Sequence, residues 1–95
     1  VAQTVSGKVA QIDESGNLIT DITIDRLAGA PTDETLRVIV DEHETFGLYP
    51  PEHAQPSMTL IAVASQGAPL KIILVDDSAS AMLGVRAGAP VKVEW

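Results

Sequence analysis

Gly7-Lys-Val-Ala-Gln-Ile-Asp-Glu-Ser-Gly-Asn-Leu-Ile-Thr-Asp-Ile22 decides how the rest of the chain is read. It divides into a strand, a tight polar turn and a second strand. Leu18, Thr20, Ile22 and Ile24 alternate with Ile19, Asp21, Thr23 and Asp25, the period of two expected of a half-buried strand. The turn gathers Asp13, Glu14, Ser15 and Asn17 around Gly16. Glycine reaches the positive φ such a turn often needs, and the short polar side chains can bond to the adjacent backbone. Two roles stay open for this corner: its side chains cap their own turn, or a carboxylate and an amide face a polar ligand.

Outward from the hairpin, strand signals dominate. Leu36, Val38 and Val40 alternate with Arg37, Ile39 and Asp41, and Val91 and Val93 alternate with Lys92 and Glu94. Met58–Ala64 is a continuous apolar run suited to a strand buried on both faces, and Leu70–Val75 is another with Lys71 as its only polar member. Loops are expected at Ala28–Asp33, at Tyr49–Pro56, where three prolines forbid a central strand, and at Arg86–Pro90. Gln66–Pro69 joins the two apolar strands at hairpin distance. Asp76-Asp77-Ser78 can open one short helix near 77–83, which Gly84 stops. Short, closely spaced strands predict an all-β fold, a small closed or nearly closed Greek-key-like barrel with that single helix, filling residues 1–95 as one domain. Closure would also hide the edges of two aggregation-prone strands.

Composition narrows the function classes. The chain has 95 residues and a mean hydropathy of +0.19, an ordinary globular profile. With only Phe46, Tyr49 and Trp95 as aromatics, the core must be built from Val, Ile, Leu and Ala. Thirteen acidic against six basic residues give a formal charge of -7, which repels phosphate and argues against a nucleic-acid partner. No apolar run is long enough to span a bilayer, so no membrane partner is expected. The lack of cysteine removes disulfides, thiol nucleophiles and cysteine zinc sites without fixing the compartment. The cytoplasm is the favoured location, with an exported mature chain left open. A start at Val1 rather than Met is expected of a processed product or an excised piece.

Other constellations are weaker. Asp41-Glu-His-Glu44 with Glu52-His53 holds metal-ligand residue types, but in no established zinc spacing, and a solvated acidic rim is the expectation, with no metal. Ser65 or Ser78 with His43 or His53 makes a catalytic triad only on paper, since no nucleophile elbow is present. Asp76 and Asp77 read as charges favouring a helix N-terminus. Ser65-Gln66-Gly67, at the end of the most apolar strand, either closes its hairpin or binds a ligand carboxylate.

Taken together, these pieces resemble the C-terminal barrel domain of the S-adenosylmethionine hydroxide adenosyltransferases, relatives of the fluorinases and chlorinases. That domain opens with Gly-x-Val-x-x-Ile-Asp-x-Phe-Gly-Asn-Leu-Ile-Thr-Asn-Ile, which residues 7–22 match at most positions. Phe46 and Tyr49 fall on the family's aromatic pair, Ser65-Gln66-Gly67 on its Ser-x-Gly, Leu70-Lys-Ile72 on its Leu-Glu-Ile, and Ser78-Ala79 with Leu83-Gly84 on its short helix.

The resemblance implies a ligand-capping role. The substrate would be S-adenosylmethionine, hydrolysed by the parent protein to adenosine and methionine. Its site would lie between this barrel and the N-terminal α/β domain of a neighbouring subunit, in a homotrimer. Asp13, Asn17 and Ser65 would contact the methionine portion, with Gln66 beside them, and backbone groups around Val75, Asp76 and Asp77 would approach the adenine. Water activation would belong to the other domain, so the chain by itself is expected to be inactive. Ser15 replaces the family's Phe, Asp21 its second Asn, Gln66 the Arg of halogenating members, and Ile73-Leu74-Val75 its Ala-x-Asn segment. These departures imply weakened ligand binding, and the alternative is a divergent, non-catalytic interaction or assembly module without a small-molecule site.

Overall fold

In the computed structural model, which describes residues 3–95, the opening hairpin pairs β1 (Thr4–Ile12) with β2 (Leu18–Thr23) across the polar turn. β1 is shared between two halves of the sheet. Its first part, Thr4 to Lys8, runs antiparallel to β7 (Pro90–Glu94), and its second part, Val9 to Ile12, runs antiparallel to β2. The register slips between Val9 and Gln11, and such a bulge bends a strand from one half to the next. Lys8 N–H leaves the ladder at this switch and donates to Asp21 Oδ1 at 2.9 Å. A side chain at Gly7 would collide with that same oxygen, so glycine is required there for the approach.

β3 (Arg37–Val40) pairs with β4 (His43–Phe46) through the two-residue turn Asp41-Glu42, and β5 (Leu60–Val63) pairs with β6 (Pro69–Leu74). The sheet order is β4-β3-β7-β1-β2-β6-β5, antiparallel at every ladder, which places the last strand between β1 and β3. With seven strands alternating in direction, β4 and β5 at the two ends run the same way, and they meet to close the barrel. Few bonds make this seam. Thr45 Oγ1, nearly buried, donates to Leu60 O at 2.7 Å, and beyond β4 Tyr49 N–H donates to Ala62 O while its carbonyl accepts from Ala64 N–H, both at 2.9 Å.

The interior is aliphatic throughout, as the scarcity of aromatics requires. Leu18, Ile22, Leu36, Val38, Val40, Leu70, Ile72, Val91 and Val93 are each at most 1% exposed, so the alternating positions of β2, β3, β6 and β7 all turn inward. Each fully buried Leu or Ile contributes about 1.5–3 kcal/mol. Thr20 is buried among them because its hydroxyl donates to Leu70 O at 2.7 Å, where the β2–β6 register breaks.

The acidic stretch at Asp41–Glu44 keeps its carboxylates exposed, and its second half opens a strand that the sequence does not show: β4 is too polar to show an apolar period, since only Thr45 is buried in it. Three expectations are corrected. Ile24 leaves β2 for a 3₁₀ turn (Ile24–Leu27) that buries Leu27 and lets Arg26 Nη2 donate to Ser6 O. The run 70–75 is buried on one face only; Lys71 and Ile73 are half-exposed on the outer surface of β6. The helix α1 (Ala79–Leu83) is present, with Ser78 as N-cap bonded by Ala81 N–H and Gly84 in the left-handed conformation as its stop. Asp76 and Asp77 therefore precede the cap instead of occupying the first turn.

Replacing Thr45 with Val keeps the shape and removes the seam hydroxyl, leaving Leu60 O unpaired. Urea unfolding should show a loss of about 1–3 kcal/mol, and an unchanged midpoint would show that the seam does not depend on this bond.

Candidate functional site

The turn of the first hairpin is locked by Asp13. Its Oδ1 accepts from Ser15 N–H and Asn17 N–H, each at 2.9 Å, and its Oδ2 accepts from Asn17 Nδ2 at 3.0 Å. Partial burial pushes the Asp13 carboxyl up, but the bonds from Asn17 and Ser15, helped by the Lys71 charge, outweigh it and hold the group below the ordinary aspartate range. The capping role is thus real for Asp13. It also fixes the Asn17 amide with Nδ2 turned to Asp13, which leaves the Oδ1 carbonyl without a hydrogen bond among the described residues.

Gly16 couples this turn to the helix. Its φ is +83°, and an added Cβ would collide with Ser78 Oγ and lie 3.0 Å from Ser78 Cα. Ser80 N–H donates to Gly16 O at 2.9 Å. The turn and the start of α1 are therefore one unit.

A second group of residues arrives from the seam. After Tyr49 the Pro50-Pro51 turn carries the chain back over the outside of β5, where His53 N–H donates to Pro50 O at 3.1 Å. Ile61, Val63 and Val75 form a small apolar cluster there, outside the barrel, with Tyr49 and Ile73 packed on it. This cover explains why β5 is buried on both faces.

Between these two groups lies a depression of about 320 Å³. Asn17, Ser65, Lys71 and His53 border it over a floor that includes Val63 and Ile73. Beside it, a shallower hollow of about 500 Å³ is bordered by Ser15, Asp76, Asp77 and Ser78, and Asn17 and Ile73 belong to both. Asn17, Ser65, Asp76 and Asp77 thus share one face of the barrel, with Asp13 behind Asn17. Gln66 borders an adjoining hollow whose only ionisable residue is Asp25 and which shares Ala68 and Pro69 with the depression. Val75 turns its side chain into the outer cluster, and its N–H and C=O are bonded to Thr59 O and Met58 N–H. Of the segment expected near adenine, Asp76 and Asp77 are the exposed part; Asp76 has φ 63° and accepts from Ser57 Oγ, and Asp77 Oδ1 accepts from Ser78 N–H.

The two histidines are kept apart. His43 Nε2 lies 3.1 Å from Leu83 O, to which it donates, while His53 Nδ1 accepts from Gln55 N–H at 3.2 Å. Among the described residues no three histidine or acidic side chains gather as a metal site would need. Sequence reasoning does not single out Lys71 and His53 as residues bordering this depression. The available signals are a single cation interrupting an apolar strand, and a histidine in a proline-rich loop.

No protein-family model matches the chain, and no curated protein matches it. Among solved structures, it is similar to an uncharacterized conserved protein from Thermotoga maritima, with a TM-score of 0.77 and 26% identity over 98% of this chain and 37% of that one. It also resembles a conserved hypothetical protein from Thermus thermophilus, with a TM-score of 0.74 and 22% identity over 94% of this chain and 34% of that one. The chain therefore spans little more than a third of the length of either.

Two measurements test the turn. Gly16→Ala forces a left-handed alanine against Ser78 and should cost about 2–4 kcal/mol in urea unfolding; a loss below a few tenths would separate the turn from the helix. Because the folded Asp13 carboxyl titrates lower than the unfolded one, its contribution is full above the unfolded value and disappears as pH falls through the folded value. The Ser15 and Asn17 amide signals should therefore move together only in acid, below about pH 4, and Asp13→Asn should abolish that transition.

Proposed function

We propose that this chain is the ligand-capping barrel of a protein resembling the S-adenosylmethionine hydroxide adenosyltransferases, supplying half of an S-adenosylmethionine site where it meets an α/β domain of a neighbouring subunit. One observation carries this reading: Asn17 of the first hairpin and Ser65 of the β5–β6 turn, distant in sequence, border the same depression. The resemblance puts the methionine portion of the ligand against those two residues.

The chemistry of the face suits that ligand. The Asn17 carbonyl oxygen can accept from an ammonium group, Asp13 supplies negative charge behind it, and the Ser65 hydroxyl can donate to a carboxylate. The adjoining hollow at Asp76 and Asp77 is open enough for a flat heterocycle. Ser15, at its border, makes that wall polar where the family has an aromatic ring. When bound, S-adenosylmethionine supplies an electrophilic carbon on a sulfonium. This barrel would orient the ligand and exclude bulk water from one side, while activation of the attacking water falls to the partner domain. Both solved neighbours carry a barrel like this as about a third of a longer chain, which agrees with such a division of labour.

Titration with S-adenosylmethionine, followed by backbone amide NMR, tests the reading. Shifts are expected at Asn17, Ser65, Asp76 and Asp77, with no release of adenosine, and both Asp13→Ala and Ser65→Ala should suppress them. Shifts that persist in both variants would relocate the site. A wild-type chain that shows none would favour the assembly-module alternative.

A further inference from the structure

The outer face of β4, β3 and β7 shares no residue with the two hollows at Asn17, yet its side chains are sorted. The ladders put Phe46, Arg37 and Glu94 in one row across the strands and Glu44, Ile39 and Lys92 in the next. A third row holds Asp41, whose N–H donates to Pro90 O at 2.9 Å, then Pro90 and, opposite it on β1, Lys8. Val38, Val40, Thr45, Val91 and Val93 alternate with these residues and are buried in the barrel, so the rows face outward.

Diagonally across the strands, Phe46, Ile39 and Pro90 form an apolar stripe. Phe46 is 47% exposed, and Pro90 is exposed too. Arg37, Lys92 and Lys8, three of the six basic residues of the chain, follow one side of the stripe. Glu44 and Asp41 follow the other. A hollow of about 280 Å³ lies on the stripe at Ile39 and Pro90, with Asp41 and Lys92 as its charged walls.

This pattern is complementary to itself. A two-fold axis laid along the stripe, in the plane of contact, sets Phe46, Ile39 and Pro90 against their own counterparts. The same rotation exchanges the two sides, so Glu44 of each copy meets Arg37 of the other, and Asp41 meets Lys92. An axis across the stripe would set bases on bases. Arg37 can keep its 2.6 Å bond to Glu94 in such a pair, while its longer, exposed contact to Glu44, at 3.4 Å, can be shared with the second copy. In a chain of charge -7, which otherwise repels its own copies, this face offers a second copy opposite charges in register.

We infer that two copies of the chain pair through this face about a two-fold axis, with the Phe46–Ile39–Pro90 stripe at the centre and reciprocal Asp41–Lys92 and Glu44–Arg37 contacts at its flanks. Convex barrels touch along a narrow band, so the buried area falls short of a standard interface, and the dissociation constant should be on the order of 0.1–1 mM. The pairing is independent of the S-adenosylmethionine reading.

Sedimentation equilibrium and amide NMR over a dilution series of the 95-residue chain test it. The wild type should follow a monomer–dimer equilibrium, with concentration-dependent shifts at Ile39, Glu44 and Lys92 and none at Asn17 or Ser65. Phe46→Ala, Lys92→Glu and Asp41→Lys should each raise the dissociation constant by about ten-fold or more, with urea unfolding to check that each is folded. Each charge reversal puts like charges at both 41–92 contacts of its own dimer, but an equimolar mixture of the two variants puts opposite charges at both. The mixture should therefore associate about as tightly as the wild type. Asp41 has φ 54°, where lysine is strained; if that variant does not fold, Lys92→Glu and Phe46→Ala decide the question. A wild type that stays monomeric at millimolar concentration, a three-fold stoichiometry, undiminished association in Phe46→Ala or Lys92→Glu, or a mixture of folded variants that associates no better than its components would overturn the inference.

Discussion

Seven strands that alternate in direction cannot all be antiparallel to their neighbours once the sheet closes on itself. One pair must run the same way, and here it is β4 with β5. A regular ladder is replaced at that seam by the Thr45 hydroxyl and the two backbone bonds of Tyr49. The Leu60 and Ala62 carbonyls, which point out of the β5–β6 ladder, are satisfied in this way. The path of the chain beyond the seam follows from the same constraint. Tyr49 holds the segment alongside β5, and the diproline turn lays it over the outer face, which brings His53 to the border of the depression.

The opposite border depends on the first hairpin. Asp13 spends its hydrogen-bonding capacity on the turn and so presents Asn17 in one orientation. Gly16 lets that turn press on Ser78, and Ser80 N–H ties the contact to the helix. The segment from Asp76 to Ser78 therefore has a fixed relation to Asn17. Residues from three loops that border the two hollows are held by structural contacts: Asp13 caps the first turn, and Asn17 is what the capping positions.

The barrel was legible because the alternation begun at Leu18, at Leu36 and at Val91 states which face is buried, and because the apolar runs at 58–64 and 70–75 announce strands; that the second run buries one face only was not legible, since Lys71 alone interrupts it. β4 was hidden, since a strand whose only buried side chain is Thr45 has no hydrophobic period to detect. The end of β2 at Thr23 was hidden too, because the 3₁₀ turn depends on Leu27 finding the core, which is a tertiary event. Asn17 and Ser65 were named from the sequence and border one depression. Gln66, named beside Ser65, borders the adjoining hollow across Ala68 and Pro69. His53 could not be placed, because its approach to Lys71 depends on how the seam routes the 49–57 segment.

β6 separates two tasks along a single strand. Leu70, Ile72 and Leu74 seal the barrel, while Lys71 and Ile73, interleaved with them, line the outer depression bordered by Asn17 and Ser65. A change in either outward position alters that surface without touching the residues that maintain the architecture. The strand is therefore evolvable at single-residue resolution: mutational drift there can change the charge and shape of the outer surface, while foldability is carried by its silent half.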